Sequence, residues 1–223
     1  MSSQLTTPGL FITVEGVEGA GKSTNLSYII SYLEQAGIEV IHTREPGGTP
    51  FAESVRELLL APREENVDEV AELLLMFAAR AQHLKSLIQP AIAEGKWVVC
   101  DRFTDATYAY QGAGRELGFD IVSKLEQLVQ KDFRPDRTFF LDISVEQGMQ
   151  RVISRGEKDR FELEQSQFFE RVRNAYLTMV EQQPERFILI DSSQSLNQVQ
   201  LDIKHKLDLL LQGLAQGSGA QDE

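Results

Sequence analysis

The chain has 223 residues and a formal net charge of −12, with 42% hydrophobic and 25% charged residues. A chain of this length forms one domain or at most two, and this composition is ordinary for a soluble globular protein. The negative charge repels phosphate, which argues against a nucleic-acid polymer as a partner but leaves room for a small phosphate ligand where arginines converge.

The sequence contains no apolar run that approaches the ~20 residues needed to span a bilayer. The first residues, MSSQLTTPG, lack the basic patch and the apolar core of a secretory signal. The single cysteine, Cys100, cannot form an internal disulfide, which fits a reducing compartment. We therefore expect a cytoplasmic protein that has no membrane partner.

Taken in chain order, the apolar pattern and the turn residues predict strands that alternate with helices. The predicted elements are a strand at 10–14, a helix at 21–35, a strand at 38–43, a loop at 45–49, a helix at 51–60, a long helix at 67–94 with a break near Pro90, a strand at 97–100, an irregular or partly helical segment at 101–115, a helix at 121–132, a strand at 138–141, helices at 145–155 and 165–182, a strand at 187–190 and a helix at 196–211. Apolar strands that alternate with helices indicate a parallel sheet covered on both faces. We expect a single α/β domain at residues 1–212 and a disordered tail at 213–223, where little apolar content is available for packing.

A phosphate-binding motif follows the first predicted strand. Residues 16–23, GVEGAGKS, match the pattern G-x-x-x-x-G-K-[ST] in full and open a predicted helix. Glycines allow the backbone N–H groups to wrap around phosphate, Lys22 reaches the β- and γ-phosphates, and the Ser23 hydroxyl ligates Mg²⁺. The alternative is a glycine-rich turn with a surface lysine. No Asn-Lys-x-Asp guanine reader occurs in the chain, which argues against a GTPase.

Asp101-Arg102-Phe103 directly follows the predicted strand at 97–100. The carboxyl ends of strands line the ligand crevice of a doubly wound sheet, so Asp101 is expected near Mg²⁺ and Arg102 near the phosphate that is transferred. The alternative is an aspartate that caps the next segment beside a surface-paired arginine. The phosphate motif makes the functional reading the stronger one.

Two further segments carry candidate groups. Residues 151–160 hold four basic side chains beside Gly156, which suggests a lid at about 151–165 that closes over ATP and excludes water; a solvated charged loop is the alternative. Residues 107–115 supply hydroxyls, an amide and aromatic rings that can read a nucleobase, and a polar loop packed by two tyrosines explains them equally well.

The chain resembles the bacterial thymidylate kinases, which are P-loop nucleoside-monophosphate kinases, from about Leu10 to Leu211. The segments that carry the resemblance are EGVEGAGKST at 15–24, TREPGGT at 43–49, FAAR at 77–80, DRF at 101–103, YAYQG at 108–112 and FRPD at 133–136. The resemblance implies a P-loop three-layer α/β/α sandwich with a five-stranded parallel sheet and a helical lid, assembled as a homodimer. It also implies transfer of the γ-phosphoryl group from ATP to thymidine monophosphate (dTMP), with Mg²⁺, in dTTP biosynthesis.

On the sugar and phosphate side, the resemblance implies that Glu18 accepts a hydrogen bond from the 3′-hydroxyl of the acceptor. Arg56 and Arg102 would hold the acceptor monophosphate, Glu45 would lie beside the phosphates, and Asp101 would act near Mg²⁺. The predicted metal ligands are Ser23 and Asp101. The predicted ATP-binding residues are Gly16, Val17, Glu18, Gly19, Ala20, Gly21, Lys22, Ser23, Thr24 and Arg151.

On the base side, the resemblance implies that Arg80 donates to a thymine carbonyl and that Thr107 and Gln111 fix the base edge. Tyr110 would crowd the 2′ position and favour deoxyribose, and Pro46 would help to shape the thymine pocket.

One residue of this chain departs from a pattern that is common in the family, and the position of the catalytic arginine divides the family into two types. Many relatives place a stacking phenylalanine four residues before the arginine that matches Arg80, and here that position is Met76 while Phe77 lies three before. One residue turns a helix by roughly 100°, so either side chain can cover the base. The phosphate loop carries Glu18 and no arginine, which resembles the type whose lid supplies the catalytic arginine. The predicted catalytic residues are Lys22, Arg102, Asp101, Arg155 and Arg160.

Two rival functions remain open at this point. One is a kinase for a different monophosphate or a small metabolite, and the other is a regulatory protein whose phosphate loop serves as a switch.

Overall fold

The computed structural model describes residues 9–62, 64–153 and 164–219. Five strands run through these ranges: β1 Phe11–Glu15, β2 Val40–Arg44, β3 Trp97–Asp101, β4 Arg137–Asp142 and β5 Phe187–Asp191. The helices are α1 Lys22–Gln35, α2 Pro50–Leu60, α3 Glu69–His83, α4 Gln89–Ala93, α5 Thr104–Thr107, α6 Phe119–Val129, α7 Val145–Ile153, α8 Ser166–Gln182 and α9 Leu196–Gly219. Two π-helical segments cover Leu84–Ile88 and Tyr108–Gly114.

All five strands are parallel and lie in the order β2-β3-β1-β4-β5. The predicted α/β class and the five-stranded parallel sheet are therefore confirmed. Strand β1 is buried along its whole length, and its neighbour β3 pairs with it so that Val14 lies opposite Asp101. This register places the turn after β1 beside the turn after β3.

Alternation along the strands builds a core on each face of the sheet, because successive side chains point to opposite faces. Ile12 and Val99 belong to the large cluster that contains the inner faces of α1, α8 and α9. Phe11 and Val98 belong to a second cluster that includes Leu84 and other residues of the π-helical segment and α4. Helices thus cover both faces, as the apolar strands predict.

The predicted long helix at 67–94 is divided in the structure. The side chain of Asp68 accepts hydrogen bonds from the backbone N–H groups of Val70 and Ala71 and caps α3. Helix α3 ends at His83, a π-helical turn follows, and Pro90 lies in the first turn of α4, where its missing N–H costs little. The break therefore precedes Pro90.

The carboxyl-terminal prediction differs from the structure. Helix α9 extends to Gly219, so residues 213–219 are helical where the sequence predicts a disordered tail; residues 220–223 lie outside the described residues. Of the predicted lid, 154–163 also lie outside them. Within the described ranges, none of the helices combines the length and the apolar character that a membrane span needs.

Candidate active site

A cavity of about 560 Å³ opens at the carboxyl ends of the central strands. Its walls come from the turn after β1, the turn after β2, helices α2 and α3, and the segment that follows β3. The lining residues are Glu18, Gly19, Gly21, Lys22, Ser23, Thr24, Glu45, Pro46, Arg56, Leu60, Met76, Arg80, Asp101, Arg102, Phe103, Ala106, Thr107, Tyr110, Gln111 and Arg151. Five of them are cations, which makes this cavity attractive to phosphate although the chain as a whole is acidic.

The turn after β1 forms a cradle around the amino terminus of α1. Gly21 precedes the helix and has no side chain to cap it, so the first N–H groups of α1 are available to an anion at the cavity wall. Lys22 donates to the carbonyls of Gly16 and Val17, at 2.9 and 3.1 Å. Burial and the charge of Arg102 lower the pKa of Lys22 below its ordinary value, and Glu18 opposes this shift.

The cradle also rests directly on α7. A Cβ at Gly19 would lie 2.1 Å from the carbonyl oxygen of Gly148, so only glycine permits this approach. Arg151 lies one turn further along α7, and its Nη1 is 3.2 Å from the Ser192 carbonyl and 3.4 Å from that of Gly19. The side chain of Arg151, which lines the cavity, is thus hydrogen-bonded to the phosphate cradle at Gly19.

Glu18 connects the cradle to the turn after β3. Its Oε1 accepts hydrogen bonds from Arg102 Nη2 at 2.6 Å and from the Tyr110 hydroxyl at 2.9 Å, and its Oε2 lies 3.9 Å from Lys22 Nζ. Burial favours the neutral acid, but the charges of Arg102 and Lys22 outweigh it and lower the pKa of Glu18 from 4.5 to about 2. Glu18 is therefore an anion at neutral pH and can only accept hydrogen bonds.

Arg102 adopts a left-handed backbone conformation, with a φ of 67°, which costs about 1–2 kcal/mol for a residue other than glycine. Its N–H donates to the Val14 carbonyl at 3.0 Å, and the next N–H, of Phe103, donates to the buried carboxyl of Glu15 at 2.7 Å. The guanidinium lies 4.5 Å from the ring centroid of Tyr110. These contacts hold the side chain of Arg102 in the cavity beside Lys22.

Asp101 and Ser23 both line the cavity and fit a magnesium ion. Asp101 Oδ1 is buried without a hydrogen-bond partner among the described residues, and a buried carboxylate oxygen of this kind needs a ligand or a cation. In the described part of the chain, no group of three or more His, Cys, Asp or Glu side chains forms a metal site. This donor set suits Mg²⁺, which is commonly bound through one or two protein oxygens together with phosphates and water.

Arg80 also lines the cavity and belongs to a buried polar network. Its Nε donates to Glu45 Oε2 at 2.6 Å and its Nη2 to the Thr107 hydroxyl at 2.8 Å. Its Nη1 is buried without a partner among the described residues. The guanidinium also lies 4.8 Å from the ring centroid of Phe77 and 5.1 Å from that of Phe103. The network fixes the guanidinium and leaves one donor group to a ligand in the cavity.

Gln111 is oriented by a buried carboxylate. Its Nε2 donates to Glu72 Oε1 at 2.8 Å, and Arg115 pairs with the same carboxylate and with Glu164. Because the amide nitrogen is engaged with Glu72, the amide oxygen of Gln111 is turned away from it and can accept a hydrogen bond from a ligand.

The sequence left Met76 and Phe77 as alternatives for the base-covering residue. Met76 lines the cavity, whereas Phe77 is buried in a core cluster with Leu73 and Val122. Phe77 therefore stands behind Arg80 rather than in the cavity wall.

Arg56 also lines the cavity, and its Nη1 donates to the Pro46 carbonyl at 3.0 Å.

Most of the predicted site residues meet in this one cavity. Three residues of the predicted phosphate loop, Gly16, Val17 and Ala20, are buried behind its lining. The predicted lid residues Arg155 and Arg160 lie outside the described residues. The sequence interpretation assigned no role to Leu60, Phe103 or Ala106, which also line the cavity; of these, Phe103 belongs to the DRF segment that the sequence had singled out.

The fold and the cavity define a class of protein. A parallel α/β sheet, a complete phosphate loop after its first strand, and further polar side chains in the same cavity as that loop are typical of P-loop enzymes that transfer a phosphoryl group between two bound substrates.

Comparisons with known proteins then identify the family. The family model described as thymidylate kinase matches residues 14–203. A thymidylate kinase of Teredinibacter turnerae is 59% identical over 91% of this chain and 99% of its own length, and one of Hahella chejuensis is 58% identical over 92% and 99%. The crystal structure of thymidylate kinase from Ehrlichia chaffeensis superposes with a TM-score of 0.73 at 35% identity, and it covers 90% of this chain and 99% of that chain. The chain belongs to the thymidylate kinase family.

Proposed function

We propose that this protein transfers the γ-phosphoryl group of ATP to dTMP and releases ADP and dTDP, which supplies dTTP synthesis. Family membership supports the reaction. The observation that carries the assignment of its residues is the single cavity that Lys22, Arg102 and Arg80 all line, with the buried Nη1 of Arg80 without a partner among the described residues. Lys22 and Arg102 suit phosphates, and Arg80 suits a base carbonyl.

In the proposed reaction an oxygen of the acceptor monophosphate attacks the γ-phosphorus in line, and ADP leaves. The acceptor phosphate is largely ionised at neutral pH, since its second pKa is about 6, so no strong general base is required. The protein contributes positioning and charge neutralisation. Lys22 holds the donor phosphates, Arg102 stabilises the charge on the transferred group, and Arg56 holds the acceptor monophosphate.

Mg²⁺ would be held by Ser23 and Asp101, and when bound it would neutralise charge on the donor phosphates. The support for this proposal is the buried Oδ1 of Asp101, which has no protein partner among the described residues.

The acceptor sugar is proposed to lie against Glu18 and Tyr110. Glu18 is ionised, so it can accept a hydrogen bond from the 3′-hydroxyl through Oε2, while its Oε1 remains bonded to Arg102 and Tyr110. The Tyr110 hydroxyl is held by Glu18 at 2.9 Å, and burial raises its pKa well above the ordinary value. A neutral, fixed tyrosine at this place would crowd a 2′-hydroxyl and favour deoxyribose.

The acceptor base is proposed to lie between Met76 and the polar groups of Arg80, Thr107 and Gln111. Arg80 Nη1 would donate to a thymine carbonyl, and the Gln111 oxygen could accept from the base edge. Pro46 would close the pocket from the turn after β2.

The lid arginines Arg155 and Arg160 are proposed to complete the charge around the transferred phosphoryl group, because the cradle itself has Glu18 where an arginine would otherwise stand. Arg151, at the start of this segment, lines the cavity. The segment at about 151–165 is proposed as the lid of the single domain at 1–212.

The proposed assembly is a homodimer through α2 and α3, which pack against each other. Leu58 of α2 and Leu74 of α3 are large apolar side chains that remain about half exposed, at 48% and 51%. Phe51 at the start of α2 is exposed as well. Burial of such a face against a second copy would remove apolar surface from water.

A coupled assay of ADP release, with and without dTMP, tests the function. We expect ADP release that depends on the acceptor, with turnover greatest for dTMP among dTMP, dUMP, dCMP, dGMP and AMP. ATP binding without acceptor-dependent ADP release would identify a regulatory protein instead, and a preference for another monophosphate would identify a different kinase.

A further inference from the structure

A buried histidine stands directly behind the base end of the cavity. His83 is the last residue of α3 and has no exposed surface. Its Nδ1 lies 3.0 Å from Glu45 Oε1, and its Nε2 lies 2.7 Å from the Thr43 hydroxyl. Thr43 belongs to β2, so the ring joins the end of α3 to the strand that leads into the cavity wall.

The carboxylate that His83 contacts is the one that holds Arg80. Glu45 Oε1 faces the imidazole, and Oε2 accepts from Arg80 Nε at 2.6 Å. An ionised carboxylate only accepts hydrogen bonds, so His83 Nδ1 is the donor in its pair. With a partner on each oxygen, the plane of the carboxylate is fixed, and the direction of the Arg80 guanidinium is fixed with it.

The turn after β2 also closes on the imidazole. A Cβ at Gly48 would lie 2.3 Å from His83 Nε2 and 2.4 Å from Thr43 Oγ1. The backbone therefore packs against the hydrogen bond between His83 and Thr43. Pro46, two residues earlier, lines the cavity, so His83 supports a second part of the base pocket as well.

We propose that His83 is a positioning residue for the acceptor base. It orients Glu45, and through Glu45 it aims Nη1 of Arg80, which has no hydrogen-bond partner among the described residues, at the base. An apolar side chain would fill the same space without the cost of burying polar groups, but it would leave Glu45 with a free oxygen and Arg80 with a mobile partner. This inference rests on the proposed function and deepens it, because it concerns how the same site recognises its acceptor.

Two near-isosteric variants separate the two ring contacts. The amide nitrogen of asparagine can stand in for Nδ1, so His83→Asn keeps a donor to Glu45 and loses the contact with Thr43. The amide of glutamine reaches the place of Nε2, so His83→Gln keeps the contact with Thr43 and loses the donor to Glu45. Both variants remove the imidazole, which makes each the control for the other.

We expect His83→Gln to raise KM for dTMP by about tenfold, the change that corresponds to loss of about 1.4 kcal/mol of binding. The tenfold change in KM for dTMP is the size expected for loss of one hydrogen bond to a charged group. The kcat of this variant and its KM for ATP should stay within about twofold of the wild-type values, because neither the phosphate cradle nor Arg102 contacts His83. His83→Asn keeps KM for dTMP within about threefold of the wild type. Thermal melting of both variants checks that the protein is folded.

Equal KM values for dTMP in wild type and His83→Gln would overturn the inference, and so would equal increases in both variants, which would indicate a packing role only. If His83→Gln does not fold, His83→Asn still tests the inference, because it keeps the donor to Glu45, and a tenfold rise in its KM for dTMP overturns the inference.

The proposed function is tested separately by the wild type. A wild-type protein that binds dTMP without turning it over would refute the kinase reaction, and calorimetric Kd values of the two His83 variants would still decide the role of His83. A wild-type protein that neither binds nor phosphorylates dTMP overturns both proposals.

Discussion

The Arg102→Ala variant removes one cation from the cavity and one partner from Glu18. Arg102 donates to Glu18 at 2.6 Å and stands beside Lys22 in the phosphate end of the cavity. If its guanidinium stabilises charge on the transferred phosphoryl group, loss of this group should act mainly on turnover. The loss of the pair with Glu18 acts on stability, and the two effects are measured separately.

The effect on turnover should be large. Removal of a single preorganised donor to developing transition-state charge typically lowers kcat by about 10²–10³. A guanidinium carries a full charge, so we expect a decrease of at least this size. KM for dTMP should rise as well, because Arg102 is also proposed to hold the acceptor monophosphate.

The effect on stability should be modest. Breaking a fully buried ion pair costs about 3–5 kcal/mol, but Arg102 and Glu18 keep 18% and 15% of their side-chain surface exposed, and Lys22 remains 3.9 Å from Glu18. We therefore expect a loss of about 2 kcal/mol, against a total stability of about 5–15 kcal/mol. Alanine at position 102 has the same unfavourable positive φ as arginine, so this substitution does not relieve the backbone strain. A glycine at this position would relieve it.

The assay is coupled ADP release at saturating ATP and dTMP, together with urea unfolding. Arg173→Ala is the matched control, because Arg173 forms a two-point ion pair with Asp142, at 2.7 and 2.8 Å, away from the cavity lining. The control should lose about 1 kcal/mol or less and keep its kcat. Normal turnover in a folded Arg102→Ala protein would refute the role assigned to Arg102.

The pKa of Glu18 is lower in the folded protein than its ordinary value of 4.5. The ion pairs of Glu18 therefore stabilise the fold above pH 4.5, and this contribution disappears as the pH falls toward 2. Between pH 5 and pH 3, the unfolding free energy of the wild type should decrease by about 2 kcal/mol more than that of Glu18→Gln. Equal losses in urea titrations would contradict the shift. Asp101→Asn should raise the Mg²⁺ concentration for half-maximal activity about tenfold or more, as expected for loss of an ionic ligand, and an unchanged Mg²⁺ titration would exclude Asp101 from the metal site. Leu74→Glu should convert a dimer to monomers in sedimentation velocity, while the exposed Leu201→Glu control leaves the mass unchanged; a monomeric wild type would reject the proposed assembly.

The segments that the sequence predicted well are those whose signal is local. Five apolar runs were predicted and five parallel strands are observed, each within about two residues at either end. The phosphate loop was recognised in full because all of its chemistry lies in eight consecutive residues between a strand and a helix. The helical residues at 213–219 were missed, since that segment is rich in glycine and polar residues, and such composition favours disorder when no packing is considered.

The DRF segment taken alone does not separate the functional from the surface reading of Arg102, and the sequence favoured the functional reading only because of the phosphate motif. Its partner Glu18 lies 84 positions away along the chain, and only the pairing of β1 with β3 brings the two together. The sequence left Met76 and Phe77 as alternatives for the same reason, because the deciding contact joins segments that are distant in the chain. Helical periodicity places neighbours roughly 100° apart, and the packing of Phe77 against Val122 of α6 is what assigns Met76 to the cavity.

Nothing in the sequence indicated a role for His83. A single histidine near the end of an apolar helix belongs to no motif, and its partners Thr43 and Glu45 lie 40 and 38 positions away. The sequence by itself determined the strands, the phosphate loop and the set of residue types that a nucleotide kinase needs, because these depend on neighbouring residues. The tertiary structure alone decided which charges pair, which side chains line the cavity and which donor of Arg80 is left for a ligand, because these contacts form only when strands and helices that are distant in the chain pack together.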